Sequence, residues 1–280
     1  ALLACEAVSV TVMLLLLKRM QRPLTRIVAY AWHPLPLWEI ANNGHIDALM
    51  ISLMLLGIWM ALGGRALRGA VLIALATLVK PFAAPALAAI WRPPHWKMPL
   101  AVIATIALCY LVYLSVGWGV FGFLTKGYLN EEGLISGNSI WPLAVWRLAF
   151  GVHRGDIVIY GALAVLIVLL MALQTARGPA STVAAKLTDI NMLLLAVLLL
   201  VSPNYPWYFL AITPFVALSG NAPTWAVSIG ALLLTDEVDW DFYIPILVVK
   251  SVLYGGFLLA WGWSAWVMYR KKKADGVRAI

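Results

Sequence analysis

The chain of 280 residues is 63% hydrophobic and 11% charged, with a mean hydropathy of +0.91. An ordinary soluble domain carries roughly twice that charge, so composition excludes one and indicates a polytopic membrane protein. The net charge of +8 does not point to nucleic acid, because the basic residues sit in short loops between apolar segments, where they act as topology signals.

The apolar segments run 1–17, 27–62, 70–90, 98–116, 157–174, 188–201, 207–219, 224–235 and 244–268. The first opens at Ala1 with neither a charged leader nor a cleavage signal, so it reads as a transmembrane helix, and the natural protein is expected to extend further N-terminally. Several segments are shorter than the ~20 residues a helix needs to span the hydrocarbon. Short or Pro-broken helices are tolerated where they pack against protein or line a cavity. The 27–62 segment is too long for one span; Pro34, Pro36 and Gly44 predict a hairpin with its turn at Asn42 to Gly44. Lys80-Pro81 divides 70–90 into two short helices meeting at a polar tip. Gly117 to Gly151 reads as a loop in which Trp141, Trp146 and Arg147 form a short interfacial helix. Cys5 and Cys109 both lie in apolar segments and read as packing residues.

Fifteen of the 20 basic residues fall in alternate loops: Lys18 to Arg26, Arg65 and Arg68, Arg92 and Lys97, Arg177 and Lys186, and Arg270 to Arg278. The positive-inside rule makes 18–26, 63–69, 91–97, 175–187 and 270–280 cytoplasmic. The opposite face then receives the Asn42–Asp47 turn, Lys80, the 117–156 loop, 202–206 and the acidic run at 236–241. The expected fold class is therefore an all-α membrane protein: one transmembrane domain over 1–280, with short, broken helices around an outward-facing cavity and the 117–156 outer loop carrying the interfacial helix.

The chemistry concentrates in WEIANNGHIDALM, Trp38 to Met50, where Glu39, Asn42, Asn43, His45 and Asp47 fall within nine residues. Ionisable groups inside a bilayer are costly unless paired, so such a cluster marks a functional site. In a continuous helix Glu39, Asn43 and Asp47 would share one face. The alternative is capping, which accounts for Asn43 and for an Asp at a helix start, but not for Glu39 and His45 as well. Lys80 at a helix break can neutralise a lipid phosphate, or simply snorkel. In SPNYPWY, Ser202 to Tyr208, the rings of Tyr205, Trp207 and Tyr208 can stack on a sugar or prenyl chain, or form an interfacial belt; Asn204 beside them is a candidate ligand. Glu131 and Glu132 read either as a base or sugar-binding pair or as solvated acids. The acidic run Thr235 to Tyr243 has no metal-loop pattern and reads as a solvated loop, so no metal site is expected.

The runs AYAWHPLPLWEIANNGHIDALM, LATLVKPFAAPALAAIW and LVSPNYPWYFLAITPF, in this order, resemble the GT-C superfamily of integral-membrane glycosyltransferases. They are most similar to its bacterial branch of polyprenyl-phosphate-mannose-dependent α-mannosyltransferases, with His33 where that pattern often has Asn. The resemblance covers about residues 27–215. It implies transfer of a hexose, mannose in that branch, from a polyprenyl-phosphate carrier to a lipid or glycan acceptor. The enzyme would sit in the bacterial inner membrane, multi-pass, with its site toward the periplasm or outside, no cofactor beyond the lipid-linked donor, membrane lipids around it and no nucleic acid partner. Its catalytic acid would lie in a first outer loop that precedes Ala1; otherwise Glu39 or Asp47 takes that role. Asn43, His45, Lys80, Asn204, Tyr205, Trp207 and Tyr208 are then the expected substrate-binding residues. A transporter or lipid flippase using the same polar cluster is the competing reading, against which stands the gathering of polar residues at one face rather than the midplane. A non-catalytic scaffold subunit is the third.

Overall fold

The computed structural model describes residues 1–91, 95–121, 133–178, 182–235 and 245–277, and every described element is helical or a turn. Four helices are long and apolar enough to cross a membrane: Lys97–Gly117, Asp156–Arg177, Val183–Val201 and Ile246–Ala274. The protein is a multi-pass helical membrane protein. Large apolar side chains such as Ile103, Leu108, Val158, Val165, Leu259 and Trp263 are exposed on these helices, as expected where lipid rather than protein covers them. Cys109 is among the exposed residues of the Lys97–Tyr110 helix, so it is not buried in the protein core.

A tighter core holds the shorter elements together. Helix Leu2–Arg19 packs on helix Asp47–Leu62, which pairs with Ala66–Val79 across a turn at Gly63 and Gly64. Met13, Leu16, Met54, Leu55, Ile58 and Ile73 are fully buried there. The latter pair approaches closely because Gly57 faces Gly69: a Cβ at Gly69 would lie 2.5 Å from the Gly57 carbonyl oxygen. Helix Val183–Val201 and the 206–218 segment close the core with Leu194, Leu198 and Phe215.

The expected interruptions are present and have local causes. The first arm of the hairpin is broken into Leu24–Ile27, Val28–Ala31, Pro34–Pro36 and a π-helical turn Leu37–Asn42. His33 caps the third piece: Nδ1 accepts from the Leu35 amide at 3.2 Å, which is the office an Asn performs at that position. With Nδ1 accepting, Nε2 carries the proton and donates to Ser228 Oγ at 2.9 Å, so His33 is a buried structural residue. After the π turn, Gly44 takes φ +73° and the His45 amide reaches back to the Glu39 carbonyl at 3.0 Å. That closure is one residue wider than a Schellman cap, as the wider turn requires. Lys80, extended at φ −150°, separates Ala66–Val79 from Pro81–Ala83 and Pro85–Ile90.

These elements sort the loops to two ends. Arg19 donates to the Leu62 carbonyl, and Leu62, Gly64, His95, Lys97 and Lys186 surround one cavity, so the basic turns near 19, 64, 97 and 186 gather together. At the other end Leu2 lies beside Gly44, Lys80 meets Asp47, and His45 meets Trp207.

Candidate functional site

At the end opposite the basic turns, the second arm of the hairpin begins at Asp47, the first residue of its helix. A carboxylate is favoured there by the helix macrodipole. It is wholly buried, and Lys80 Nζ donates to its Oδ2 at 2.5 Å. The other oxygen, Oδ1, has no partner among the described residues. Lys80 reaches this position because the chain leaves helix Ala66–Val79 extended before Pro81, which carries the side chain across to the hairpin. Its ammonium also lies 5.0 Å from the centroid of the Tyr208 ring, and Tyr208 packs on Phe82.

A second polar group stands beside the first. Glu39 is 1% exposed. Its Oε2 accepts from Asn43 Nδ2 at 3.2 Å and lies 3.1 Å from His45 Nε2. A carboxylate can only accept, so Nε2 bears the proton and donates to Glu39. The His45 ring stacks on Trp207 at 4.6 Å between centroids, and Trp207 stacks on Tyr205 at 4.4 Å with the planes 6° apart. The hairpin and the 205–208 loop therefore meet by direct ring contact. Glu39, Asn43, His45, Asp47, Lys80, Tyr205, Trp207 and Tyr208 come together in one cluster. The helical spacing of Glu39, Asn43 and Asp47 does not carry this: Glu39 and Asn43 share the π turn and its end, and Asp47 belongs to the next helix. Asn204 turns to another partner.

That partner is Lys250, 1% exposed near the start of the Ile246–Val277 helix. Its Nζ donates to the carbonyls of Ser139 at 2.7 Å and Ser202 at 2.5 Å and to Asn204 Oδ1 at 2.8 Å. Ser202, at φ 53°, ends helix Val183–Val201, whose last carbonyls are taken by Tyr254 at Leu199 and Tyr160 at Leu200, the latter at 2.6 Å. Trp141 joins the same knot by donating from its ring to Ser251 Oγ at 2.8 Å and stacking on Tyr254. Sequence reasoning passes over Lys250, although a lone Lys in an apolar segment is itself a signal. A helix does span Trp141–Phe150, but Arg147 grips Asp156 through two bonds, at 2.8 and 2.9 Å. That hydrogen bonding raises the Arg147 pKa above its ordinary value. Glu131, Glu132 and the acidic run at 236–241 lie outside the described residues.

Residues 1–92 match the family model of the alpha-(1->6)-mannopyranosyltransferase N-terminal domain. The match supports a GT-C mannosyltransferase, in the branch that the motifs resemble. Comparison with curated proteins and with solved structures finds no match. The matched segment contains Glu39, Asn43, His45, Asp47 and Lys80, and it ends before the 205–208 aromatics and Lys250. It supports glycosyltransferase activity in a membrane setting.

Proposed function

We propose that the protein transfers a hexose, mannose by its family match, from a polyprenyl-phosphate carrier to a hydroxyl of a lipid or glycan acceptor. The reaction would take place at the end opposite the basic loops, which by the positive-inside rule is the outer face of a bacterial inner membrane. The observation that carries this reading is the coincidence of the mannosyltransferase segment with a buried Glu39–His45 and Asp47–Lys80 cluster beneath stacked aromatics. In the transfer an acceptor oxygen attacks the anomeric carbon, the bond from that carbon to the phosphate oxygen breaks, and the phosphate leaves with the electron pair. Lys80 supplies the positive charge for the phosphate. Glu39 and His45 are the groups to take the acceptor proton or return one to the leaving phosphate; with Nε2 donating to Glu39, exchange at His45 falls to Nδ1. Asp47, wholly buried, holds Lys80 in place. Tyr205 and Trp207 are the stacking surface, and Asn43 sets Glu39. Neither metal nor cofactor enters this scheme.

The test is transfer of radiolabelled mannose from synthetic mannosyl-phosphoryl-polyprenol in proteoliposomes to an extracted glycolipid fraction. Wild-type transfer that drops at least tenfold in Lys80→Met and Glu39→Gln supports the reading. Transfer from a nucleotide sugar alone, or lipid movement across the bilayer without sugar transfer, refutes it.

A further inference from the structure

Cavities of about 450 and 510 Å³ open at the basic end, away from the Asp47–Lys80 pair, and share one lining residue, Lys186. Lys186 is 4% exposed and lies in the first turn of helix Val183–Val201. A cation is poorly placed there, because the amides of a helix start favour negative charge. A buried ammonium also needs full pairing to offset its lost hydration. Lys186 falls short of that: Nζ donates to the Thr175 carbonyl at 3.0 Å and reaches Asp189 Oδ2 only at 3.4 Å. Asp189 is itself 36% exposed. No described residue accepts its third hydrogen. The larger cavity adds Lys97 and His95, both exposed, and among the described residues no carboxylate lines it. Its remaining walls are apolar, among them Leu62, Leu67 and Ile90.

We infer that this cavity binds a phosphate group between Lys186 and Lys97, carried either by an anionic phospholipid head group or by a soluble phosphate. A buried lysine with one hydrogen that no described residue accepts and a second, exposed cation in the same lining attract the same charge. The apolar walls continue the surface that an acyl chain would follow, and basic pockets between membrane helices are where anionic head groups bind.

The test compares the full chain with Lys186→Gln and Lys97→Gln in phosphatidylcholine nanodiscs, with and without phosphatidylglycerol. Native mass spectrometry reads the retained lipid. Thermal melting with inorganic phosphate, against chloride of equal ionic strength, reads the soluble anion. Selective retention of phosphatidylglycerol that falls about fivefold in either variant supports a lipid source. A melting response to phosphate that disappears in Lys186→Gln supports a soluble source. Selectivity that survives both substitutions, or neither selectivity nor a phosphate response in the unaltered chain, overturns the inference. Should Lys186→Gln fail to fold, Lys97→Gln decides alone, and unaltered lipid selectivity and phosphate response in it are the refuting result.

Discussion

The Asp47–Lys80 pair makes an unequal demand on its two partners. At 2.5 Å, and with an effective dielectric constant of about 20, two unit charges attract by about 7 kcal/mol. Several kcal/mol per ion are lost in desolvation, so the net worth of the pair against two apolar residues is near zero. Removing one partner is different. Lys80→Met leaves a carboxylate that is 0% exposed and whose Oδ1 already lacks a partner, a loss of about 3–5 kcal/mol. Asp47→Asn keeps an oxygen to accept from Lys80, whose side chain is 17% exposed and whose ammonium still faces the Tyr208 ring. It should cost about 2 kcal/mol, the scale of weakening one charged hydrogen bond. The double variant Asp47→Asn/Lys80→Met should fall within about 1 kcal/mol of the unaltered protein, giving a coupling energy of at least ~4 kcal/mol. Reversible unfolding by sodium dodecyl sulfate in mixed micelles measures all four members of the cycle. Costs that simply add, or a Lys80→Met variant as stable as the unaltered chain, would refute the reasoning. The double variant also separates fold from function: it should be well folded and inactive in mannose transfer.

Three further outcomes are expected. Trp207→Ala removes the platform between His45 and Tyr205; each aromatic stack is worth about 0.5–1.5 kcal/mol, so the melting temperature should fall and kcat/KM should drop about tenfold in the protein that remains folded, and an unchanged kcat/KM would separate the loop from the site. Lys250→Met strips one donor from the Ser139 and Ser202 carbonyls and from Asn204, so amide exchange over 202–208 should accelerate at least tenfold, measured by deuterium uptake; unchanged protection there would remove Lys250 as the anchor of the loop. In a cysteine-free background, Asn42→Cys should react with an impermeant thiol reagent from outside intact cells and Arg65→Cys only after permeabilisation; both reacting from the same side would sink the two-ended arrangement.

What the sequence makes legible is what interrupts hydropathy. Pro34, Pro36 and Gly44 mark a broken hairpin and Lys80-Pro81 marks a divided helix; each is a local property and each appears in the structure. The partners of the polar residues are a different matter. Asp47 and Lys80 stand 33 positions apart and Asn204 and Lys250 46 apart, and nothing in their local sequence pairs them. His33 gives the same lesson: its stacking on Trp225 and its bond to Ser228, 195 residues on, are equally invisible in its local sequence. The π turn at Leu37–Asn42 also escapes a reading based on 3.6-residue periodicity, and it is what parts Asp47 from Glu39 and Asn43.

That parting has a chemical consequence. Because the π turn and Gly44 separate them, the two acids acquire different partners: Glu39 holds a histidine and an asparagine, Asp47 a lysine. The wholly buried Asp47 has its Oδ2 held by an ammonium at 2.5 Å, a geometry that fixes the lysine. Glu39 instead contacts an imidazole, a group that can relay a proton through Nδ1 while the carboxylate balances the imidazolium that forms. Within this chain the division of labour therefore runs against treating the two acids alike: Glu39 with His45 is the proton-handling pair, and Asp47 is the group that fixes Lys80. Glu39→Gln and Asp47→Asn distinguish the two roles. The first should lower kcat with little change in donor KM, and the second should raise donor KM through a misplaced Lys80. Equal effects of both substitutions on the two constants would refute the division.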